Sequence, residues 1–192
     1  MKIKSVLIFA ALTVWGSALV QAEQASVLAG AWQLVSVETV RPSGEIIYPY
    51  YGKHPQGLIV YDPSGWMSVQ IVSDPKPTVP KDDTREGFHG SPLAERAAAA
   101  DGYYAYFGTY SVDTAASTVT HHIKESLYPG ERGEEGVRHF EIVNDQLILV
   151  AKVHEMGENH QRRLTWQRVP NDKAAQPAVS RLSDPTVELK MP

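Results

Sequence analysis

Short alternating strands separated by turn residues constrain the fold of this chain more than any other feature. From Leu28 onward, Val, Ile, Tyr and Trp alternate with polar residues, and Gly, Pro, Asn or Asp interrupts the pattern at short intervals. This pattern predicts β-strands, because alternate residues of a strand face opposite sides of a sheet. The sequence indicates nine strands, at residues 32–38, 45–48, 57–61, 66–72, 103–112, 118–125, 137–143, 146–153 and 160–169.

Most of these strands are joined by hairpin-length turns, which predicts an up-and-down meander. Closing the meander into a barrel removes its exposed edges, and a barrel of this size can hold one small ligand. The exception is the long Pro-rich segment 73–92, which cannot be a central strand. We predict one short helix at 93–100, with Ser91 as its N-cap and Gly102 as its stop. The preceding loop is either a lid over the barrel mouth or a plain surface excursion.

The two ends of the chain differ in composition from the predicted barrel domain, residues 23–169. Residues 1–22 combine a short basic start, an apolar run and small residues before a polar stretch. This predicts a secretory signal peptide and a periplasmic or secreted protein, with a transmembrane anchor as the alternative. No membrane insertion is expected after cleavage. Residues 170–192 show no period and are predicted to be a mobile tail.

Composition excludes several classes of function. The 192 residues include no cysteine, so disulfides, thiolate metal sites and cysteine nucleophiles are impossible. A net charge of −4 gives no support for binding nucleic acid. We predict neither a metal site nor a cofactor, and the oligomeric state stays open.

Several spaced motifs carry a family resemblance. They are Gly30-Ala31-Trp32, Pro55-x-Gly57-x-Ile59-x-Tyr61, Ala105-Tyr106-x-Gly108-Thr109-Tyr110 and Leu164-x-Trp166-x-Arg168. Over residues 28–169 the chain resembles the lipocalin-like domain family. The resemblance implies an all-β, up-and-down lipocalin-like barrel with one short helix and a long loop. It also implies that Trp32 plugs the closed end with Arg168 stacked on its face, a cation–π pair. It leaves the function open.

The histidine pair is the sharpest chemical feature. His121 and His122 are adjacent in a predicted strand, so only one of them can face the lumen. The face that contains His122 is uniformly polar, which favours His121 as the inward residue. Glu125 lies four residues further on and is predicted to share that face. His121 and Glu125 are therefore candidate catalytic residues, an acid–base pair near neutral pH. Hydrogen bonding to a ligand and a purely structural role are the alternatives.

Tyrosines form the second group of candidates, since each offers an apolar body and a polar tip. Tyr104, Tyr106 and Tyr110 alternate along one strand and are predicted to share a face. The predicted ligand-binding residues are His121, Tyr104, Tyr106, Tyr110, Tyr61 and Met67.

Three hypotheses for the function follow. The first is an exported barrel that binds a small, mostly hydrophobic or amphipathic molecule in its lumen. The second is an enzyme in the same cavity, an isomerase, cyclase or hydrolase of a secondary or xenobiotic metabolite, using His121, Glu125 and a tyrosine. The third is an envelope interaction protein whose cavity is filled by its own side chains. The sequence alone does not decide whether any reaction is catalysed.

Overall fold

A computed structural model of the chain describes residues 27–48, 50–77 and 84–170. The predicted signal peptide, residues 1–22, lies outside these ranges. So does the predicted tail apart from its first residue, and so does the central part of the predicted lid.

Nine antiparallel strands make up the fold. In chain order they are β1 (Gly30–Val40), β2 (Ile46–Ile47), β3 (Gln56–Tyr61), β4 (Trp66–Val72), β5 (Tyr103–Asp113), β6 (Thr118–Ser126), β7 (Glu135–Val143), β8 (Gln146–Glu155) and β9 (Glu158–Arg168). Strand β1 pairs with β3, each later strand pairs with the next, and β9 pairs back onto β1. The result is a closed eight-stranded barrel, with β2 added at the far end of β1. This confirms the predicted all-β lipocalin-like barrel.

Helices occupy the connection between β4 and β5. Helix α1 spans Arg85–Gly90, helix α2 spans Leu93–Asp101, and a 3₁₀ turn at Pro129–Glu131 follows β6. The prediction of a single helix was wrong because it missed α1. This helix has only six residues, two of them glycines, and shows no helical period in the sequence. In the described ranges, none of the helices is long and apolar enough to cross a membrane.

The caps of these helices correct one assignment and confirm another. The Ser91 hydroxyl donates to the carbonyl of Phe88 at 2.8 Å and so closes α1. It does not cap α2, whose N-cap is Pro92. Gly102 is the C-cap of α2, as predicted.

One end of the barrel is closed by Trp32. Its indole is fully buried and donates to the carbonyl of Leu28 at 2.9 Å. The Arg168 guanidinium lies 3.9 Å from the centre of the Trp32 ring and donates to the carbonyl of Ala29 at 3.1 Å. The predicted stack of Arg168 on the buried Trp32 ring is therefore confirmed.

A bulge breaks the register between β5 and β6. Phe107 pairs with Glu125, whereas the next residue, Gly108, pairs with Ile123. The strands approach closely here: a Cβ at Gly108 would lie 2.0 Å from the carbonyl oxygen of His122. A bulge inserts one extra residue, so the inward and outward faces of β6 exchange beyond it.

Candidate ligand-binding site

The open half of the barrel encloses a cavity of about 760 Å³. Its apolar wall includes Val37, Ile59, Val69, Ile71, Leu149 and Leu164. The cavity reaches the surface beside Tyr50, Tyr128 and Asp101, which are all exposed. A void of this size contradicts the hypothesis of a barrel filled by its own side chains.

A hydrogen-bonded trio of side chains lies at the inner end of the cavity. The Tyr61 hydroxyl lies 2.7 Å from Nε2 of His121, and the Tyr106 hydroxyl lies 2.7 Å from Nδ1. His121 and Tyr61 are fully buried, and Tyr106 is almost so. His121 and Tyr106 border the cavity, whereas Tyr61 lies behind the imidazole in the closed half.

The surroundings of the trio assign its protons. A neutral imidazole has one N–H donor and one bare nitrogen. In the described part of the chain, the Tyr61 hydroxyl has no acceptor other than Nε2 of His121. The arrangement that satisfies every buried group has Tyr61 donating to Nε2 and Nδ1–H donating to the oxygen of Tyr106. The proton of the Tyr106 hydroxyl is then left to face the cavity.

Burial keeps all three groups neutral. The pKa of His121 is lowered well below its usual value, first by burial and then by its electrostatic interactions with Arg138 and His122. Burial raises the pKa of Tyr61 and of Tyr106. Because neither an imidazolium nor a phenolate forms near neutral pH, the trio presents neutral hydrogen-bonding groups to the cavity.

Aromatic rings connect the closed end of the barrel to its mouth. Tyr110 packs on Tyr61 at 4.8 Å between ring centres, and its hydroxyl donates to the carbonyl of Asp62. Tyr104 packs on Tyr106 at 5.4 Å and borders the cavity. Of the predicted ligand-binding residues, His121, Tyr104 and Tyr106 border the cavity. Tyr61, Tyr110 and Met67 are buried below it.

Glu125 does not join His121. Its side chain is exposed and accepts from Nε of Arg132 at 2.8 Å on the outside of the barrel. The prediction that both residues share the inner face was wrong because the bulge at β5–β6 reverses the alternation between them. His122 faces outward as predicted, with Nδ1 at 3.0 Å from a carboxylate oxygen of Glu135.

Charged residues that the sequence analysis did not select also border the cavity. Arg138 extends from β7 and donates to the carbonyl of Gly136 at 2.8 Å. Glu131 accepts from the hydroxyls of Tyr104, at 3.1 Å, and Ser126, at 2.6 Å. Alternation along β7 carries a signal for Arg138, because it shares the half-buried face with Phe140 and Ile142. Glu131 lies in a Gly-rich loop, where no such signal exists.

A second arginine lies closer to the mouth. Arg162 forms an ion pair with Glu155, and its Nε donates to the Thr39 hydroxyl at 3.1 Å. Its neighbour Arg163 points outward and pairs with Glu38. The pair therefore divides between the two faces of β9, as alternation requires. In the described ranges no group of three or more His, Asp and Glu side chains could hold a metal ion.

The closed barrel and its cavity together define the class of protein, a β-barrel that binds small molecules. The family model described as "Lipocalin-like domain" matches residues 29–169. The chain belongs to this family, which confirms the resemblance inferred from its sequence motifs. A search of curated proteins found no match.

Proposed function

We propose that the protein binds a small, largely apolar molecule in the barrel cavity, with one hydrogen-bond acceptor of the ligand facing Tyr106. The observation that carries the proposal is the Tyr106 hydroxyl. It borders the cavity, and the trio with His121 and Tyr61 leaves its proton without an acceptor among the residues that the structure describes. The aliphatic wall supports an apolar ligand body, because transfer of apolar surface out of water is the main source of affinity in such pockets.

Fluorescence titration with N-phenylnaphthylamine, a neutral apolar probe, tests the proposal. Ile71→Trp places a large side chain in the cavity wall, whereas Gln70→Trp places the same side chain on the opposite face of β4. We expect saturable binding to the wild type and to Gln70→Trp, and loss of binding in Ile71→Trp. Equal binding by both variants would show that the probe does not enter the cavity.

Acid–base catalysis in the same cavity is the second candidate. The observation that favours it is the continuous link from the cavity through Tyr106 to a neutral imidazole. Both nitrogens of His121 are engaged by tyrosines, so proton exchange between His121 and the cavity could pass only through the Tyr106 hydroxyl. Glu125 has no part in it.

Mass spectrometry separates the two candidates. The protein is purified without denaturation, its carried molecule is identified, and that molecule is incubated with fresh protein. Binding alone predicts that the molecule returns unchanged and that Tyr106→Phe alters only its affinity. Catalysis predicts a new product whose rate of formation falls in Tyr106→Phe.

Export is part of the proposal and is supported by residues 1–22, which combine a basic start with an apolar run. Expression of the full chain in a Gram-negative bacterium, followed by osmotic shock and intact-mass measurement, tests it. We expect a periplasmic species shortened by the predicted segment. A full-length product retained in the membrane would instead support an anchor.

A further inference from the structure

We propose that the ligand carries an acidic group, such as a carboxylate or sulfonate, and that Arg138 binds this group beside Tyr106. The inference rests on the proposed function and specifies the chemical class of the ligand. It follows from how Arg138 is held, from the pairing of the other charges in the cavity, and from the donors that remain.

A glycine makes room for the Arg138 guanidinium. Gly136 pairs with His121 across strands β6 and β7, and Arg138 folds back over it to donate to its carbonyl at 2.8 Å. A Cβ at position 136 would lie 2.3 Å from Nη1 of Arg138. Any other residue at this position would therefore displace the guanidinium from its place near His121.

Of the two arginines that border the cavity, Arg138 is the one without an ion-pair partner in the described ranges. Arg162 is paired with Glu155, and Glu131 accepts hydrogen bonds from two hydroxyls. Asp101 lies exposed at the mouth. Within the described ranges Arg138 forms no ion pair, and its one hydrogen bond is to a backbone carbonyl. An arginine presents five N–H donors in a planar fork that matches a carboxylate, so most of its binding capacity is unused.

Two further hydrogen-bond donors border the cavity. The Tyr106 hydroxyl proton faces the cavity, and the indole N–H of Trp166 is buried without an acceptor in the described part of the chain. Trp166 borders the same cavity. Arg138, Tyr106 and Trp166 together favour a ligand group that only accepts hydrogen bonds and carries negative charge.

Two fluorescent probes that differ only by an acidic group test the inference. Anilinonaphthalene sulfonate carries a sulfonate on the ring system of N-phenylnaphthylamine. Arg138→Met should weaken binding of the sulfonate by about tenfold to a hundredfold, the usual effect of losing a charged hydrogen bond. Binding of the neutral probe should change by less than about twofold. Arg132→Met, on the outer surface, is the matched control and should change neither affinity.

Gly136→Ala is the sharper variant because it keeps the arginine and moves it. The contact it creates is with the flexible end of a side chain, so we expect the unfolding midpoint to stay close to that of the wild type. The sulfonate should again lose affinity selectively.

Three results are decisive. Selective loss of sulfonate binding in both variants supports the inference. If Arg138→Met weakens binding of both probes equally, or of neither, the acidic-group inference is wrong. The proposed function still holds in that case, provided that Ile71→Trp abolishes binding of the neutral probe. If the wild type binds neither probe, the proposed function fails and the inference falls with it.

Discussion

In the trio of Tyr61, His121 and Tyr106, we expect the loss of the Tyr61 hydroxyl to destabilise the fold more than the loss of the Tyr106 hydroxyl. Replacing Tyr61 by Phe removes one hydroxyl at 2.7 Å from Nε2 and leaves the ring volume almost unchanged. His121 is fully buried, so one imidazole nitrogen loses its partner whichever tautomer forms. An unsatisfied buried polar group costs about 1–3 kcal/mol. We therefore expect Tyr61→Phe to lower the free energy of unfolding by about 2 kcal/mol.

Tyr106→Phe should cost less, by the same reasoning. The hydroxyl that it removes borders the cavity, where a water molecule can replace it beside Nδ1. We expect a loss of about 1 kcal/mol, the net contribution of an ordinary hydrogen bond. For a domain of this size, 1 kcal/mol shifts the midpoint of thermal unfolding by about 2–4 °C.

Urea unfolding followed by tryptophan fluorescence measures both changes, and a double variant checks their origin. Tyr61→Phe combined with His121→Phe removes both partners, so its cost should be smaller than the sum of the two single costs. A loss below about 0.5 kcal/mol for Tyr61→Phe would refute the argument from burial. A larger loss for Tyr106→Phe than for Tyr61→Phe would refute the argument that water in the cavity can replace the Tyr106 hydroxyl.

Two further predictions concern pH and the closed end. The free energy of unfolding should fall as the pH is lowered from about 7 to about 5, and His121 should contribute at most about 1.4 kcal/mol per pH unit. In the unfolded chain this imidazole binds a proton near pH 6.5, whereas burial holds its pKa in the folded protein well below that value. Stability is thus retained above the unfolded pKa and lost below it. The free energy of unfolding of His121→Phe, measured by urea titration, should depend less steeply on pH. An unchanged slope would show that His121 is not the source of the pH dependence. Arg168→Met should cost about 1–2 kcal/mol, because it removes both the contact with Trp32 and a backbone hydrogen bond. The control is Arg163→Met, a half-exposed arginine on the same strand that pairs with Glu38. It should lose less stability in thermal unfolding than Arg168→Met. Equal losses would contradict the role of the stack on Trp32.

Strands and their order could be predicted from the sequence because alternation and turns are local properties. The hairpin between β7 and β8 is an example: Asn144 and Asp145 both adopt left-handed backbone conformations, with φ of 51° and 59°, as a two-residue turn requires. The faces of β5 also followed, so Tyr104 and Tyr106 were placed inward correctly. What could not follow was which of these residues meet, because that depends on pairing between strands.

Register explains both the partial success and the error at the site. His121 pairs with Tyr110 on β5, yet it hydrogen-bonds Tyr106, four residues away on the same strand. A bulge lies between these levels, and it is the same bulge that turns Glu125 outward. Arg138 could not be predicted for a different reason. One charged residue on an otherwise apolar strand face does not by itself indicate a cavity, and the cavity follows only from the closed barrel.

The position of the trio separates stability from ligand recognition. Both nitrogens of His121 are hydrogen-bonded to tyrosines, so the imidazole needs no ligand to be satisfied, and the protein's own hydrogen bonds hold Tyr106 in place. Because folding already fixes the Tyr106 side chain, ligand binding does not have to order it, and this favours affinity. Below this level the protein is closed by packed rings, and above it the wall and Arg138 face the cavity. Substitutions at Tyr61 should consequently act on folding and those at Arg138 on binding, with Tyr106 as the residue where the two effects meet.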